Sequence, residues 1–314
     1  MALTNVDTGR LIDGSGGAII GSKNKIINGA MAVDQRNAGA SQTFTAAAAL
    51  AYSVDRWYGY CTGANVTGQR VAGSGTSQYR YQFTGAASVT AIGFGQRIEA
   101  INTVDLAGTT ATLSVDLANS LLTTVTWTAY YANTSDTFGT LASPTRTQIA
   151  TGSFTVTSTV TRYSTQISVP SAATTGIEIV FTVGAQTSGT WTIGNVQLES
   201  GISATPFERK IYGQELALCQ RYYQVFNNIS AEGYASGIQV RQTTPMTFPV
   251  QMRIAPTRTV ITTGSYTNIR SSSSVYAGLG IMFLTNTGTS CSMESAAAGY
   301  MYMNNQSESM SAEL

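Results

Sequence analysis

The residues in this chain that could do chemistry are its aromatic and acidic side chains, because the usual reactive groups are absent or scattered. The 314 residues contain no histidine. That removes Ser-His-Asp and Cys-His nucleophiles, His-ligated zinc and HExxH chemistry together. The three cysteines, Cys61, Cys219 and Cys291, lie far apart and form no CxxC. They therefore suit neither a zinc knuckle nor a dithiol redox site, and they read as small buried hydrophobes. The sequence calls for no metal and no cofactor.

Aromatic residues are more informative. There are 16 Tyr against 10 Phe and 3 Trp, a bias toward surfaces that are apolar yet hydrogen-bond. The densest cluster, Tyr52, Trp57, Tyr58 and Tyr60, falls within YSVDRWYGYC. The apolar C–H face of a sugar ring stacks on such flat rings, and Asp55, Arg56 and Asn65 would then read its hydroxyls. The competing reading makes Trp57 a core anchor and Arg56 the ion-pair partner of a carboxylate. Trp127 and Trp191, on alternating segments, read as core. Tyr130 and Tyr131 are adjacent and must point to opposite faces of a strand, with Tyr130 the one expected to face out. The candidate ligand-binding set is Trp57, Tyr58, Tyr60, Tyr130, Asp55 and Arg56; the sequence marks no catalytic residue.

Glycoside hydrolysis needs only two carboxylates, and 16 are present. They sit singly, without a DxD, ExxE or EF-hand pattern, so a depolymerase is kept only as an alternative. With 17 basic against 16 acidic residues the net charge is +1. No basic stripe could track a phosphate backbone, which argues against nucleic-acid binding. Met1 to Arg10 lacks the charged and apolar parts of a signal peptide. The longest small-apolar run, Ala46 to Ala51, is far short of the roughly 20 residues of a membrane span. The chain is expected to be made in the cytoplasm without a signal peptide, to stay soluble or leave by a route that needs no signal, and not to insert into a membrane.

The elements that must position these groups are strands. Residues 1–24 are rich in Gly, Ser, Asn and Asp and read as an arm, suited to attachment or simply a frayed end. From 25 to 208 apolar and Thr/Ser residues alternate with period two. The clearest runs are Tyr79-Tyr81-Phe83, Ala111 to Leu117, Val125 to Tyr131, Tyr163 to Val169 and Ile177 to Val183. Such alternation predicts half-buried antiparallel strands. Turn residues recur about every ten positions, as in a β-sandwich or jelly roll. Gly213 to Phe226 carries the 3/4 spacing of one helix, so 209–226 is assigned as a connecting helix. Residues 227–314 read as a second small β-domain, with strands at 235–241, 246–252, 259–263, 278–284 and 299–304. Pro245, Pro249 and Pro256 confine the middle strands to edges or short runs. The fold class is all-β throughout.

Several segments carry a resemblance. IINGAMA (26–32), SVDRWY (53–58), GQRIE (95–99) and DLAGTTATLSV (105–115) occur in the order seen in tailed-phage fibre proteins. WTIGNVQLESGISATPF (191–207), followed by ELALCQRYY (215–223), resembles a junction that recurs in phage tail fibres and other virion receptor-binding proteins. The region 26–208 is similar to jelly-roll carbohydrate-binding modules. The resemblance implies a virion-surface adhesin of the tail-fibre type, a homotrimer that binds a host surface glycan and joins other virion proteins through residues 1–24. The C-terminal domain would be distal or trimer-forming. The alternative within the same setting is a structural decoration or adaptor protein without glycan binding.

Overall fold

A computed structural model describes residues 23–47, 49–75, 77–235, 241–262, 265–268, 280–285, 287–294 and 299–314. Most of the expected arm, 1–22, therefore lies outside the described residues. The chain divides into two compact units, one reaching Lys210 and joined by Leu314, the other spanning Ile211–Glu313.

Among the described residues, twelve strands build the first unit. They are β1 (Gln42–Phe44), β2 (Ala51–Tyr52), β3 (Tyr58–Thr62), β4 (Val66–Ala72), β5 (Tyr79–Thr84), β6 (Ala91–Ile98), β7 (Thr110–Asn119), β8 (Thr124–Ala132), β9 (Arg146–Thr155), β10 (Thr161–Ser168), β11 (Ile177–Val183) and β12 (Thr190–Ser200). They form two six-stranded sheets, β1-β4-β5-β12-β7-β10 and β2-β3-β6-β11-β8-β9, in which every pairing is antiparallel. The expected alternation is what seals them: Leu113, Val115, Leu117, Val125, Ile179 and Phe181 all point into one shared core. Threonines hold many of the opposite, wet positions, where a branched Cβ suits the pleat.

Aromatic rings organise that core. Phe94 is stacked between Trp57 and Tyr81, with centroids 4.9 Å away on each side. Phe83 stacks on Trp191 at 5.3 Å. Such pairs add about 0.5–1.5 kcal/mol each beyond their buried area. Trp127 and Trp191 are core residues, as expected.

Residues 26–29, 55–57, 96 and 194–199 meet inside this unit. The Asn28 carbonyl accepts the Trp57 Nε1–H at 3.0 Å. The Asn28 amide donates to the carbonyls of Val33 and Asp55. Gln96 bonds both the N–H and the C=O of Ile27. Residues 24–29 run over a bulge in β12 between Gly194 and Gln197, where Val196 N donates to Gly29 O at 3.0 Å. A Cβ on Gly29 would stand 2.2 Å from that same Val196 carbonyl oxygen, so only glycine fits. Glu199 then fastens the following turn by accepting from the Thr205 N–H and hydroxyl. Asn24, assigned to the arm, is buried and accepts from the N–H groups of Ile26 and Leu198, so it packs with the sandwich.

The second unit holds the helix Tyr212–Gln220 and strands β13 (Tyr223–Ala235), β14 (Arg241–Thr247), β15 (Thr257–Thr262), β16 (Ser265–Asn268), β17 (Gly280–Leu284), β18 (Gly288–Glu294) and β19 (Gly299–Ser311). β19 pairs with β13, β15 and β16, while β18 lies between β14 and β17. The helix stops six residues earlier than its spacing predicts. Tyr223 pairs with Ser311 instead, because the aromatic and β-branched run YYQVF finds a partner strand. The strand expected over 246–252 lies at Arg241–Thr247, ahead of Pro249, and Pro245 sits on the edge strand β14, where its missing N–H is tolerated. Residues 236–240, 263 and 278–279 of other expected strands fall outside the described residues. Phe248, Met252, Met310 and Ala312 form a small core of this unit. No helix among the described residues is long and apolar enough to cross a membrane.

Candidate functional site

The six candidate side chains divide into two sets. Asp55 and Arg56 form the hairpin loop between β2 and β3, which closes with Trp57 N donating to Val54 O at 3.0 Å. Both are buried. The Asp55 carboxylate accepts from the Gln35 backbone and side chain, and Arg56 donates to the Arg97 carbonyl. Trp57 is fully buried against Phe94. The platform role expected of Trp57, and the hydroxyl-reading role of Asp55 and Arg56, are therefore not what this geometry offers: all three brace the loop from inside. Asn65 likewise spends its side-chain oxygen on Ala46 N.

Tyr58, Tyr60 and Tyr130 do come together, on the outer face of the second sheet. Register explains it. Tyr58 lies opposite Gly95 and Tyr60 opposite Gly93 on β6. Gly95 faces Val180 on β11, and Gly93 faces Thr182. Those two face Thr128 and Thr126 on β8, while Glu178 lies between Arg97 and Tyr130. Counting β3, β6, β11 and β8, the tyrosine-bearing strands are three spacings apart, about 14 Å.

The two glycines lower the floor of this face. A Cβ on Gly93 would stand 2.1 Å from the Tyr60 ring, and one on Gly95 2.6 Å from the Tyr58 hydroxyl. Both rings can therefore lean across β6 instead of standing upright. Tyr60 is the half-buried one of the two, and Tyr58 is fully covered, with Tyr52 edge-on at 6.2 Å. Beyond Tyr60 the face continues into a groove of about 530 Å³ lined by Ala91, Leu122, Thr124, Thr126 and Thr182. Its hydroxyls and small apolar groups alternate.

At the other end sits a buried ionic cluster centred on Glu178, whose side chain is 0 % exposed. One carboxylate oxygen accepts from Arg97 Nε at 2.8 Å and from the Tyr58 hydroxyl at 2.6 Å. The other accepts from Arg146 Nη1. Two guanidinium groups satisfy the carboxylate that burial would otherwise penalise. Arg146 also lies over the Tyr130 ring, 4.0 Å from its centroid, a cation–π contact. Arg97 donates onward to Gly139 O and to the backbone oxygen of Leu314, which packs with this unit.

These surroundings fix the tyrosine protons. Burial, then the Glu178 charge and the hydrogen bond to it, push the Tyr58 hydroxyl well above its ordinary range, and Arg97 and Arg146 only partly oppose this. Burial also raises Tyr60. Both are neutral hydrogen-bonding phenols at ordinary pH. Among the described residues no group of three or more Cys, Asp or Glu is placed to hold a metal.

Sequence reading missed Glu178, Arg97, Arg146 and the two glycines. A signal was available: IGFGQR places Gly at two successive outward positions of a strand whose inward positions are Ile92 and Phe94, which marks a close approach. Likewise, IEIVF places one acid among apolar residues.

No protein-family model matches the chain, and no curated protein does. Solved structures do. A structure described as "CBM4 structure and function" is 16% identical, with a TM-score of 0.35 over 57% of this chain and 100% of that one. A family 11 carbohydrate-binding module from Clostridium thermocellum, in complex with a mixed-linked β-1,3-1,4 tetrasaccharide, is 13% identical, with a TM-score of 0.33 over 50% of this chain and 97% of that one. The enzymatically active domain of bacteriophage CBA120 tailspike protein 4 is 18% identical, with a TM-score of 0.35 over 57% of this chain and only 22% of that one. Likeness this distant leaves function to be argued from side chains.

Proposed function

We propose that the first unit is a glycan-binding module and that the outer face of β3, β6, β11 and β8 holds a short oligosaccharide. The observation that carries this reading is the half-buried Tyr60 ring, lying over Gly93 in register with Thr182 and Thr126, two residues that line the groove. A ring laid along a sheet offers its flat face to the C–H side of a sugar. Thr126 and Thr182 offer hydroxyls, each both donor and acceptor, to the sugar's own. Tyr130, about 14 Å across the sheet, borders the same face, and Tyr58 supports it from beneath.

The chemistry is binding rather than hydrolysis. Glu178, the acid at the far end of the face from the groove, has both oxygens held by guanidinium groups and a tyrosine, the arrangement of a structural anion and not of a proton donor to substrate.

We further infer a setting on a virion surface, as a tail-fibre-type adhesin that contacts the host glycan, joins other virion proteins through residues 1–24 and assembles as a homotrimer. The support is the resemblance carried by residues 26–32, 53–58, 95–99, 105–115, 191–207 and 215–223. The segments among these that interlock around Asn28, Gln96 and β12 make up the scaffold of the module. A glycan array and host-cell adhesion assay on the purified chain tests the first claim. We expect saturable binding that Tyr60→Ala weakens at least tenfold; equal binding by this variant, or release of reducing ends from the bound polysaccharide, contradicts it. Light scattering tests assembly: a trimer is expected, and a stable monomer at micromolar concentration refutes it.

A further inference from the structure

We infer a second ligand site, on the outer face of the opposite sheet, that takes an acidic sugar residue through the charge of Arg80. A pocket of about 290 Å³ opens there across β4, β5, β12 and β7. The β4–β5 hairpin walls one side, and Ser158 and Val160, just ahead of β10, wall the other. Arg80 lies in its floor and is only 7 % exposed.

The guanidinium is under-satisfied. Of its five N–H groups, one goes to the Ser74 hydroxyl at 3.1 Å and one to the Ser74 carbonyl at 3.3 Å. Nε is buried without an acceptor among the described residues, and no carboxylate among them pairs with Arg80. The acids on this face are already engaged. Asp116 is taken by Arg162 at 3.1 Å and by Asn195 at 2.7 Å, and Glu199 by Thr205. A buried cation without a counter-charge is costly, and native proteins avoid one unless a partner is to arrive. Arg97 and Arg146, by contrast, share the Glu178 carboxylate on the other face.

The rest of the pocket describes what that partner carries besides an anion. Val71 and Val160 give its lining apolar surface, and Thr192, held by Gln82 at 3.1 Å, and Ser120 add polar groups. A carboxylate on a compact ring with hydroxyls and a C–H face fits this order, as in a hexuronate within a glycan. The site shares no residue with the Tyr60 face and does not depend on that face binding sugar.

The test is NMR titration of the full chain with D-glucuronate and D-galacturonate, their neutral parent hexoses, and inorganic sulfate. We expect the uronates to perturb amides around Thr192 and Ala118 saturably, and at least tenfold more tightly than the neutral sugars. Arg80→Gln and Val160→Trp should each weaken that binding at least tenfold, and Tyr60→Ala should leave it within twofold. Val160→Trp keeps the buried Arg80, so it decides the matter if Arg80→Gln fails to fold. The proposal is overturned by no saturable uronate binding, by equal binding of neutral sugars, or by full binding in Val160→Trp. It is also overturned if sulfate alone binds as tightly as the uronates, which would make the pocket an anion hole without sugar recognition.

Discussion

The two outer faces of the sandwich solve the same problem in opposite ways. On the β3-β6-β11-β8 face a buried acid, Glu178, is matched by two guanidinium groups and a phenol. On the β4-β5-β12-β7 face a buried base, Arg80, is matched by a single serine. The first arrangement is complete, so it serves as a brace that holds Tyr58 and Arg97 in place, and in the proposed function recognition falls to the uncharged Tyr60 and the threonines. The second is incomplete, so its charge remains available. Under the two proposals, this difference between closed and open electrostatics separates a face for neutral sugars from one for acidic sugars.

The sharpest way to break this comparison is to open the closed cluster. Glu178→Ala strands two largely buried cations, and removing one partner of a buried ionic group costs about 3–5 kcal/mol. Urea unfolding should show a loss of that order. A loss below about 1 kcal/mol would mean that the cluster is solvated and braces nothing.

A smaller effect is expected from Gly93→Val. Its Cβ would enter the space of the Tyr60 ring and turn that ring off the floor. Overpacking of this kind costs about 1–3 kcal/mol, while oligosaccharide affinity should fall at least tenfold. Retained affinity would show that the flat ring is not the platform.

The smallest expected effect is the response of Tyr58 to alkali. Its native proton is held above the ordinary value of 10.0, so the native state binds that proton more tightly than the unfolded chain. The resulting stability is intact below about pH 10 and drains away as pH climbs from there toward the raised native value. Tyr58→Phe should flatten the alkaline limb of a stability–pH curve. An unchanged limb would place the titration elsewhere.

Much of the first unit was legible in the sequence because period-two alternation is a direct consequence of one wet and one dry face. Ile177, Ile179, Phe181 and Val183 announced β11, and Tyr130 was assignable to the outer face because its neighbour Tyr131 had to take the other. The candidate site was half legible. Tyr58 and Tyr60 were found by type. Trp57 was drawn into the same cluster by proximity in sequence, yet the hairpin loop turns its ring inward onto Phe94. Glu178, Arg97 and Arg146 meet only through the register of three strands distant in the chain, which no local spacing encodes. The helix end was misplaced for a related reason: Tyr222 and Tyr223 satisfy a helical period, and only the presence of β19 decides for a strand.

The most direct test of the central claim is an NMR footprint of a bound neutral host oligosaccharide on the intact chain. The account predicts that shifts concentrate on Tyr60, Thr126, Thr128 and Thr182, on the face floored by Gly93 and Gly95, and leave the loop at Asp55–Trp57 unmoved. A footprint centred on that loop, or on the opposite sheet, would contradict it.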